Sequence, residues 1–228
     1  VDIIADSLEY DATDATLAAF DVQTRTFTFS DAKPGYRVNR TALQEEILAA
    51  LDKGAYDRVI TPKGESVEPT VTKDQLVGQF GLVSSFTTTT TKDKDRNNNI
   101  EISAAALNGR MVKPGDTMSF NDCTGQRTGE KGYREAGAIA GGMLVDDTGG
   151  GVCQTSSTLF NAVVRADLEI VKRSAHSWPS SYVNKGEDAT VNWPSLDFVF
   201  RNNGDYPVFV IAWYEEQTVT VQIYGKLL

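Results

Sequence analysis

One cysteine and one histidine are the residues of this chain best suited to covalent chemistry. Cys153 follows three consecutive glycines, in the segment GGGVCQTSST (149–158), and His176 is the single histidine of the sequence. A thiolate is a strong nucleophile, and an imidazole can accept the proton of the thiol and return it to a leaving group. Cys153 and His176 therefore form a candidate Cys–His pair for acyl transfer.

The residues after the glycines predict the helix that would position Cys153. Apolar residues recur at i, i+3, i+4 and i+7 within 154–168, namely Leu159, Ala162, Val163 and Ala166. Cys153 then falls in the first turn, where the positive end of a helix lowers the pKa of a thiol and free N–H groups can hold an oxyanion. The glycines, Gly151 among them, would let a substrate backbone approach closely.

The residues alone leave several other interpretations open. Cys153 could be a small buried side chain, or half of a disulfide with Cys123, the only other cysteine. A zinc site built from both cysteines, His176 and a carboxylate has no recognisable ligand spacing, so we expect no metal and no cofactor. If the pair is catalytic, Asp188, Asp197 or a backbone carbonyl would orient the histidine.

Composition narrows the classes of function. The chain has 228 residues with a formal net charge of −9, and 40% of its residues are hydrophobic. Such a mix is typical of a globular protein, and the negative charge argues against nucleic acid or anionic lipid as partners. Because no run of about 18 apolar residues occurs, we expect no membrane contact by this part of the protein.

The pattern of elements predicts an α+β protein with a small first domain, residues 1–80, and a second domain, residues 81–228. In the first domain, 39–54 predicts a helix that Asn39 caps and Gly54 ends. Its expected buried face is Leu43, Ile47, Leu48 and Leu51. Residues 24–30, 56–62 and 68–72 predict strands.

The second domain begins with a run of threonines and charges, FTTTTTKDKDRNNN (86–99), which is either an exposed connection or an edge strand. Residues 99–110 predict a short helix that ends at Asn108-Gly109. The segments 196–202, 206–216 and 218–225 alternate in the manner of strands and predict an antiparallel meander.

Five sequence motifs together resemble the VanW family. They are RNNNIEISAAALNGR (96–110), KPGDTMSFNDCTGQRTGEKGYREA (113–136), GGGVCQTSSTLFN (149–161), RSAHS (173–177) and GEDATVNWPSLD (186–197). They cover most of residues 86–225 in the family's order. Residues 1–80 resemble, through PGYRVN (34–39) and the helix after it, the peptidoglycan-binding domain that often precedes VanW domains.

The resemblance implies a function in the cell wall. Some VanW proteins are regarded as cysteine L,D-transpeptidases, so Cys153 would be the nucleophile and His176 the acid and base. Asp188 is the candidate that we select for the group that orients the histidine, and the sequence itself does not choose among the candidates. Peptidoglycan stem peptides would be the partners, and the protein would be extracellular, at the cell wall. Residues expected to bind the substrate are Arg127, Arg173, Gln154, Tyr133 and Gly151.

Several alternatives accompany this interpretation. Either arginine could instead form a structural salt bridge, Gln154 could merely support its turn, and Tyr133 could belong to the core. The protein as a whole could be a peptidoglycan-binding module without catalysis, or an L,D-carboxypeptidase that uses the same pair of residues with water as acceptor.

Overall fold

A computed structural model describes residues 1–140 and 143–228. Two compact units make up this part of the chain: one consists of Val1–Asp21 and Phe27–Gln79, the other of Val22–Thr26 and Phe80–Leu228. Helices and antiparallel sheets occur together, which confirms the predicted α+β class. None of the helices in the described ranges combines the length and the apolar composition needed to cross a bilayer.

The first unit contains short helices and two-stranded sheets. In chain order these elements are α1 (Asp2–Leu8), β1 (Leu17–Asp21), β2 (Thr26–Phe29), β3 (Gly35–Val38), α2 (Arg40–Asp52), β4 (Gly64–Val67) and α3 (Lys73–Val77). Strand β1 pairs with β2, and β3 pairs with β4.

Helix α2 confirms the predicted helix and its cap, because the side chain of Asn39 accepts a hydrogen bond from the N–H of Ala42 at 2.9 Å. The predicted buried face was wrong in part. Leu43 and Ala50 are buried, whereas Leu48 and Leu51 are each 52% exposed. Helix α2 therefore buries the face that carries Leu43 and Ala50, which lie two helical turns apart.

The strand predictions for 56–62 and 68–72 were wrong. The strand in this region is β4, which lies between them and pairs with β3 from Gly64 to Val67. Pro62 and Pro69 bracket it, and neither has an N–H group to donate to a sheet. Tyr56 and Val59 are about as exposed as side chains become, at 79% and 88%, so no packing holds that segment as a strand.

The second unit carries the larger core. Its elements are β5 (Phe80–Thr89), α4 (Lys94–Leu107), β6 (Arg110–Val112), β7 (Thr117–Ser119), α5 (Phe120–Thr124), β8 (Glu135–Ala140), β9 (Met143–Thr148), α6 (Val152–Arg165), β10 (Glu169–Lys172), β11 (Val199–Arg201), β12 (Val208–Glu215) and β13 (Thr218–Lys226). Strand β8 pairs with β9 as an antiparallel hairpin.

The central sheet of this unit has the order β5-β13-β12-β6 in the described residues. The first part of this segment, through Thr89, therefore belongs to an edge strand, the second of the two interpretations of 86–99, whereas the residues from Lys94 onward belong to a helix. The side chain of Thr88 points into the core, where it bonds to Thr158 of α6 at 2.9 Å. Strands β12 and β13 form the predicted hairpin, with Glu216 and Gln217 both at positive φ in the turn.

Strand β11 does not continue this hairpin as a meander. It pairs instead with β10 and β7 in a separate antiparallel sheet of order β10-β11-β7. The side chain of Asn202 explains the change, since its amide donates to the carbonyls of Val112 and Tyr206 and fixes the turn that leaves the sheet. The predicted meander was thus correct for two of its three strands.

Helix α4 begins at Lys94, five residues before the predicted start. The Asp93 carboxylate caps it by accepting from the N–H groups of Asp95 and Arg96. The apolar pattern missed this first turn because the helix buries Asn97 and Asn99 there instead of apolar side chains. Its end at Leu107, with Asn108 as the C-cap, agrees with the sequence.

Helices α4 and α6 pack with the central sheet around one apolar core. The residues that are fully buried there include Ile100, Leu107, Leu159, Val163, Val210, Val221 and Ile223. Leu159, Ala162, Val163 and Ala166 are all buried, which confirms the predicted face of α6. Burial of this face fixes the rotation of the helix and thus the direction in which its N-terminal turn presents Cys153.

Candidate active site

Cys153 lies in the first turn of α6, directly after the glycines. The helix begins after Gly151, whose φ of 103° is in the left-handed region that glycine adopts without strain. The thiol is half-buried and faces the segment 190–191. Its Sγ is 3.4 Å from the carbonyl oxygen of Val191, 3.5 Å from the Val191 nitrogen and 3.6 Å from the Thr190 hydroxyl.

Polar side chains on α6 hold the segment 187–191 against the helix. The hydroxyl of Ser157 accepts from the N–H of Ala189 at 2.9 Å, and that of Ser156 donates to the Ala189 carbonyl at 2.5 Å. One turn further, the amide of Asn161 donates to the carbonyl of Glu187 at 2.7 Å. Since Cys153, Ser157 and Asn161 are spaced by four residues, they share one face of the helix. The contacts of this face therefore hold the segment 187–191 opposite the thiol.

The same segment carries Asp188, which contacts His176 twice. Its Oδ2 is 2.6 Å from the ring Nδ1 of His176 and 2.6 Å from the backbone nitrogen of the same residue. Both side chains are only 8% exposed. With Nδ1 bonded to the carboxylate, Nε2 is the ring nitrogen that remains for the thiol.

Asp197, the other carboxylate that the sequence offered, lies elsewhere. It accepts from the Ser119 hydroxyl at 2.6 Å and from the Asn121 N–H at 2.9 Å, and so fixes the start of α5. Of the two aspartates, the structure therefore brings Asp188 to the histidine.

The electrostatics of the three groups favour charge separation between Cys153 and His176. Burial by itself raises the pKa of the thiol, but hydrogen bonds from His176 and from the Val191 N–H outweigh it and hold the pKa of Cys153 below its ordinary value. Burial alone lowers the pKa of His176, but its bonds to Cys153 and then to Asp188 raise that pKa overall. These shifts favour a thiolate facing an imidazolium.

Asp188 is held as a carboxylate. Burial alone would raise its pKa, but the backbone and ring N–H groups of His176 bond to the charged form and lower it overall. Arg173 adds to this support, because its Nε donates to the Asp188 carbonyl at 2.7 Å and its Nη2 lies 3.3 Å from Oδ1. Cys153, His176 and Asp188 thus have the contacts that a nucleophile, a base and an orienting carboxylate would need.

A known protein family matches the part of the chain that contains these three residues. The family described as VanW like protein matches residues 95–224. The chain belongs to the VanW family. Cys153, His176 and Asp188 all fall within the matched residues, in the second structural unit.

Two curated proteins illustrate the similarity of this VanW domain to known sequences. The chain is 36% identical to the Bacillus subtilis protein YoaR over 198 residues, which are 84% of this chain and 64% of YoaR. It is 30% identical to the Vancomycin B-type resistance protein VanW of Enterococcus faecalis over 131 residues, which are 55% of this chain and 48% of that protein. The chain thus spans less than two thirds of either relative. No solved structure matches it significantly.

The three glycines before Cys153 allow close packing within the protein. A Cβ on Gly150 would lie 2.1 Å from the carbonyl oxygen of Ala136, and one on Gly151 would lie 2.8 Å from Cγ of Arg96. A Cβ on Gly149 would lie 2.9 Å from the side chain of Arg127. The absence of side chains here lets the protein itself pack against the loop on the side to which a Cβ would point.

Two further residues predicted to bind the substrate are engaged within the protein. The amide of Gln154 is 1% exposed, donates to Thr88 and Thr89, and accepts from Arg96 at 3.0 Å. Through these contacts Gln154 supports the first turn of α6, the alternative role that the sequence left open. The guanidinium of Arg173 bonds to Asp188 and Gly186 and lies 4.9 Å above the ring of Phe160, so it forms the structural salt bridge that the sequence left open.

Both cysteines are free thiols, which excludes the disulfide alternative for this structure. Cys123 lies in α5, where burial raises its pKa. Within the described ranges, no group of three or more His, Cys, Asp or Glu side chains is arranged to hold a metal ion.

Sequence reasoning missed two residues that support the site. Asn99 is completely buried. Its side-chain amide donates to the backbone carbonyls of Arg134 and Gly150, and its side-chain oxygen accepts from the backbone N–H of Arg134, so Asn99 fixes the glycine loop. Tyr182 lies near Cys153 and Ser157, and burial raises its pKa, which keeps the phenol protonated. Asn99 belongs to the motif 96–110 and to a run of asparagines, and neither feature indicates that its side chain is buried.

Proposed function

We propose that this protein is a cysteine-dependent acyl transferase of the L,D-transpeptidase type, which acts on the stem peptides of peptidoglycan. The observation that carries the proposal is the arrangement of Cys153, His176 and Asp188, with the 2.6 Å bond between Nδ1 and Oδ2. The opposite shifts of the pKa values of Cys153 and His176 support the same roles.

In the first half of the reaction, the thiolate of Cys153 attacks the carbonyl carbon of the third residue of a tetrapeptide stem. The C–N bond to the terminal D-alanine breaks as the imidazolium of His176 donates its proton to the departing amine. A thioester between Cys153 and the stem remains, and D-alanine leaves with its proton. Asp188 stays ionised and stabilises the imidazolium before this transfer.

In the second half, a side-chain amine of a neighbouring stem attacks the thioester. His176, now neutral, accepts a proton from this amine, the new amide bond forms, and the thiolate of Cys153 leaves. The product is a 3–3 crosslink and the enzyme returns to its initial charge state. Water in place of the amine would give a tripeptide, which is the carboxypeptidase alternative.

The choice of peptidoglycan as substrate is supported by the family and by one relative. The VanW protein of Enterococcus faecalis is named as a vancomycin B-type resistance protein, and the resemblance to the VanW family implies a function in the cell wall. We accordingly propose an extracellular location at the cell wall. Within this proposal, residues 1–80 hold peptidoglycan for the VanW domain, 81–228.

The decisive experiment incubates the protein with disaccharide tetrapeptide stems and follows protein and peptides by mass spectrometry. We expect an acyl adduct on Cys153, release of D-alanine and crosslinked dimers, all lost in Cys153→Ala and kept in the matched variant Cys123→Ala. Detection of tripeptide without crosslinked dimers would indicate that the protein hydrolyses the thioester instead of transferring the stem. Absence of any adduct, with peptidoglycan pull-down undiminished in Cys153→Ala, would favour the binding module and contradict the proposal.

A further inference from the structure

Arg127 lies beside the glycine loop with half of its guanidinium unsatisfied. Its stem packs on Gly149, four residues before Cys153. Its Nη1 donates to the side-chain oxygen of Asn121 at 2.8 Å, and the guanidinium lies 5.5 Å from the centre of the Phe120 ring. Its Nη2 is buried and has no acceptor among the described residues. One end of the guanidinium is therefore held in place while the other is left with unused donors.

Tyr133 presents a second unsatisfied donor in the same region. The residue is 4% exposed, and its hydroxyl is buried without a partner in the described part of the chain. Its neighbour Arg134 accepts from the N–H of Gly149 at 3.0 Å, which ties this segment to the loop that Arg127 contacts. Burial raises the pKa of Tyr133, and Arg127 is near enough for its positive charge to offset part of this effect. Arg127 is also near enough to Cys153 to interact with its thiolate.

Buried donors without acceptors are costly, and native structures rarely keep them without a reason. A guanidinium is also charged, and among the described residues no carboxylate forms an ion pair with Arg127. The complementary ligand is an anion with acceptors for one N–H group and one O–H group. A carboxylate meets this requirement, because its two oxygens can take one bond from each residue. The positive end of α6 favours the same charge.

We propose that Arg127 Nη2 and the hydroxyl of Tyr133 together bind a carboxylate of the substrate next to Cys153. On the proposed function, on which this identification rests, the group is the C-terminal carboxylate of the leaving D-alanine, which is one residue from the attacked carbonyl. The protein then acts only on stems whose leaving residue ends the chain. Because Nη1 is held by Asn121, the two terminal nitrogens of the arginine are not both available to the carboxylate. Tyr133 supplies the second donor, and both residues determine specificity.

The carboxylate site is tested without any assumption about the reaction by two small alkylating agents. Iodoacetate carries a carboxylate and iodoacetamide is its neutral isostere, and both modify Cys153. We expect the ratio of their rates, iodoacetate over iodoacetamide, to fall about tenfold in Arg127→Gln and several-fold in Tyr133→Phe. Changes in the pKa or the accessibility of the thiol affect both reagents alike, so they cancel in the ratio of the two rates. Cys123 is replaced by Ala throughout.

Tyr133→Phe decides between a built site and a simple charge effect. This variant keeps the shape of the side chain and all charges, so general attraction by Arg127 would leave the ratio unchanged. An unchanged ratio in Tyr133→Phe, or in Arg127→Gln, overturns the proposal. Folding of each variant is checked by its thermal unfolding.

A second experiment tests the identity of the carboxylate. Acylation of Cys153 is compared for a tetrapeptide stem with a free C-terminus and for the same stem with a C-terminal amide. We expect the native protein to prefer the acid at least tenfold and Arg127→Gln to lose this preference. Equal rates with acid and amide in the native protein would overturn the assignment to the leaving residue. Failure to acylate with either peptide, while the reagent ratios respond as expected, would contradict the proposed function and retain the carboxylate site.

Discussion

Asp188 binds both the ring and the backbone of His176 through a single carboxylate oxygen. Oδ2 lies 2.6 Å from Nδ1 and 2.6 Å from the backbone nitrogen, while Oδ1 faces Arg173. The carboxylate thus fixes the position of the residue and the orientation of its ring together. Because the segment of Asp188 is anchored to α6 through Ser157, the geometry of the histidine depends on the same helix that carries the thiol.

Replacement of Asp188 by Asn tests this relationship. The substitution removes the negative charge that raises the pKa of His176 and offers an N–H group to Nδ1. We expect the pKa of Cys153 to rise, since its thiolate loses a charged partner, and acylation to slow by about 100-fold or more. The measurements are the rate of thioester formation and the pH midpoint of Cys153 alkylation.

Asp197→Asn is the matched control for this variant. That carboxylate binds Ser119 and Asn121 at the start of α5, so its loss should lower the melting temperature. It should leave the pH midpoint of Cys153 in place. A midpoint that is equally unaffected in Asp188→Asn would contradict the role given to Asp188.

The two cysteines should respond to pH in opposite ways. The pKa of Cys153 is lowered by its contacts with His176, whereas burial raises that of Cys123. We therefore expect alkylation of Cys153 to reach half its maximum at a lower pH than alkylation of Cys123. Peptide mapping after iodoacetamide treatment across a pH series gives both curves. In His176→Ala the curve of Cys153 should move upward in pH, while coincident curves for the two native thiols would be incompatible with the pair.

Catalysis should have an upper pH limit as well. Thioester formation requires the thiolate of Cys153 and the imidazolium of His176 at the same time. The lowered pKa of the thiol and the raised pKa of the imidazole both increase the fraction of the protein in which the two charged forms occur together. Acylation should therefore fall at low pH, as the thiol is protonated, and at high pH, as the imidazolium loses its proton. A rate of acylation that rises steadily with pH would show that the imidazolium is not required.

Ser157→Ala should weaken the attachment of Asp188 to the helix. The variant leaves the buried N–H of Ala189 without its acceptor, which costs about 1–3 kcal/mol. Urea denaturation measures this loss in the free energy of unfolding. Ser85→Ala, at an exposed position on β5, is the control and should change stability by less than about 0.5 kcal/mol. Equal losses of unfolding free energy in the two variants would contradict a role of Ser157 in anchoring the segment of Asp188.

Gly150→Ala should destabilise the protein through a direct clash. The added Cβ would meet the carbonyl oxygen of Ala136 at 2.1 Å, and relieving this overlap costs about 1–3 kcal/mol. Gly129→Ala is the matched control, since its Cβ would meet nothing within 4 Å. We expect Gly129→Ala to change stability by less than about 1 kcal/mol. Wild-type stability of Gly150→Ala, measured in the same thermal unfolding series, would show that the loop has room after all.

Local features of this protein could be predicted from the sequence because they depend on residues that are neighbours in the chain. The apolar spacing of Leu159, Ala162 and Val163 determined that α6 exists and which face it buries. The glycine before it determined where the helix begins, and therefore that Cys153 lies in its first turn. Asn39 likewise predicted the start of α2 through a bond that spans only three residues.

The tertiary structure decided which distant groups meet. Asp188 and Asp197 are equivalent candidates in the sequence, and only the bonds from Ser156, Ser157 and Asn161 to a segment some 30 residues later bring Asp188 to His176. Such bonds join residues that no periodicity relates. For the same reason, pairing of β11 with β10 and β7 replaced the expected meander.

Tertiary packing also decided how the buried polar residues of the site are used. Arg173 and Gln154 found partners within the protein, whereas Nη2 of Arg127 and the hydroxyl of Tyr133 did not. Residue type alone gives all of them the same capacity to bind a substrate. The sequence thus determined the position of Cys153 and the helix that carries it, and only the folded structure decided which donors are satisfied internally, because hydrogen-bond satisfaction depends on every group packed around an atom.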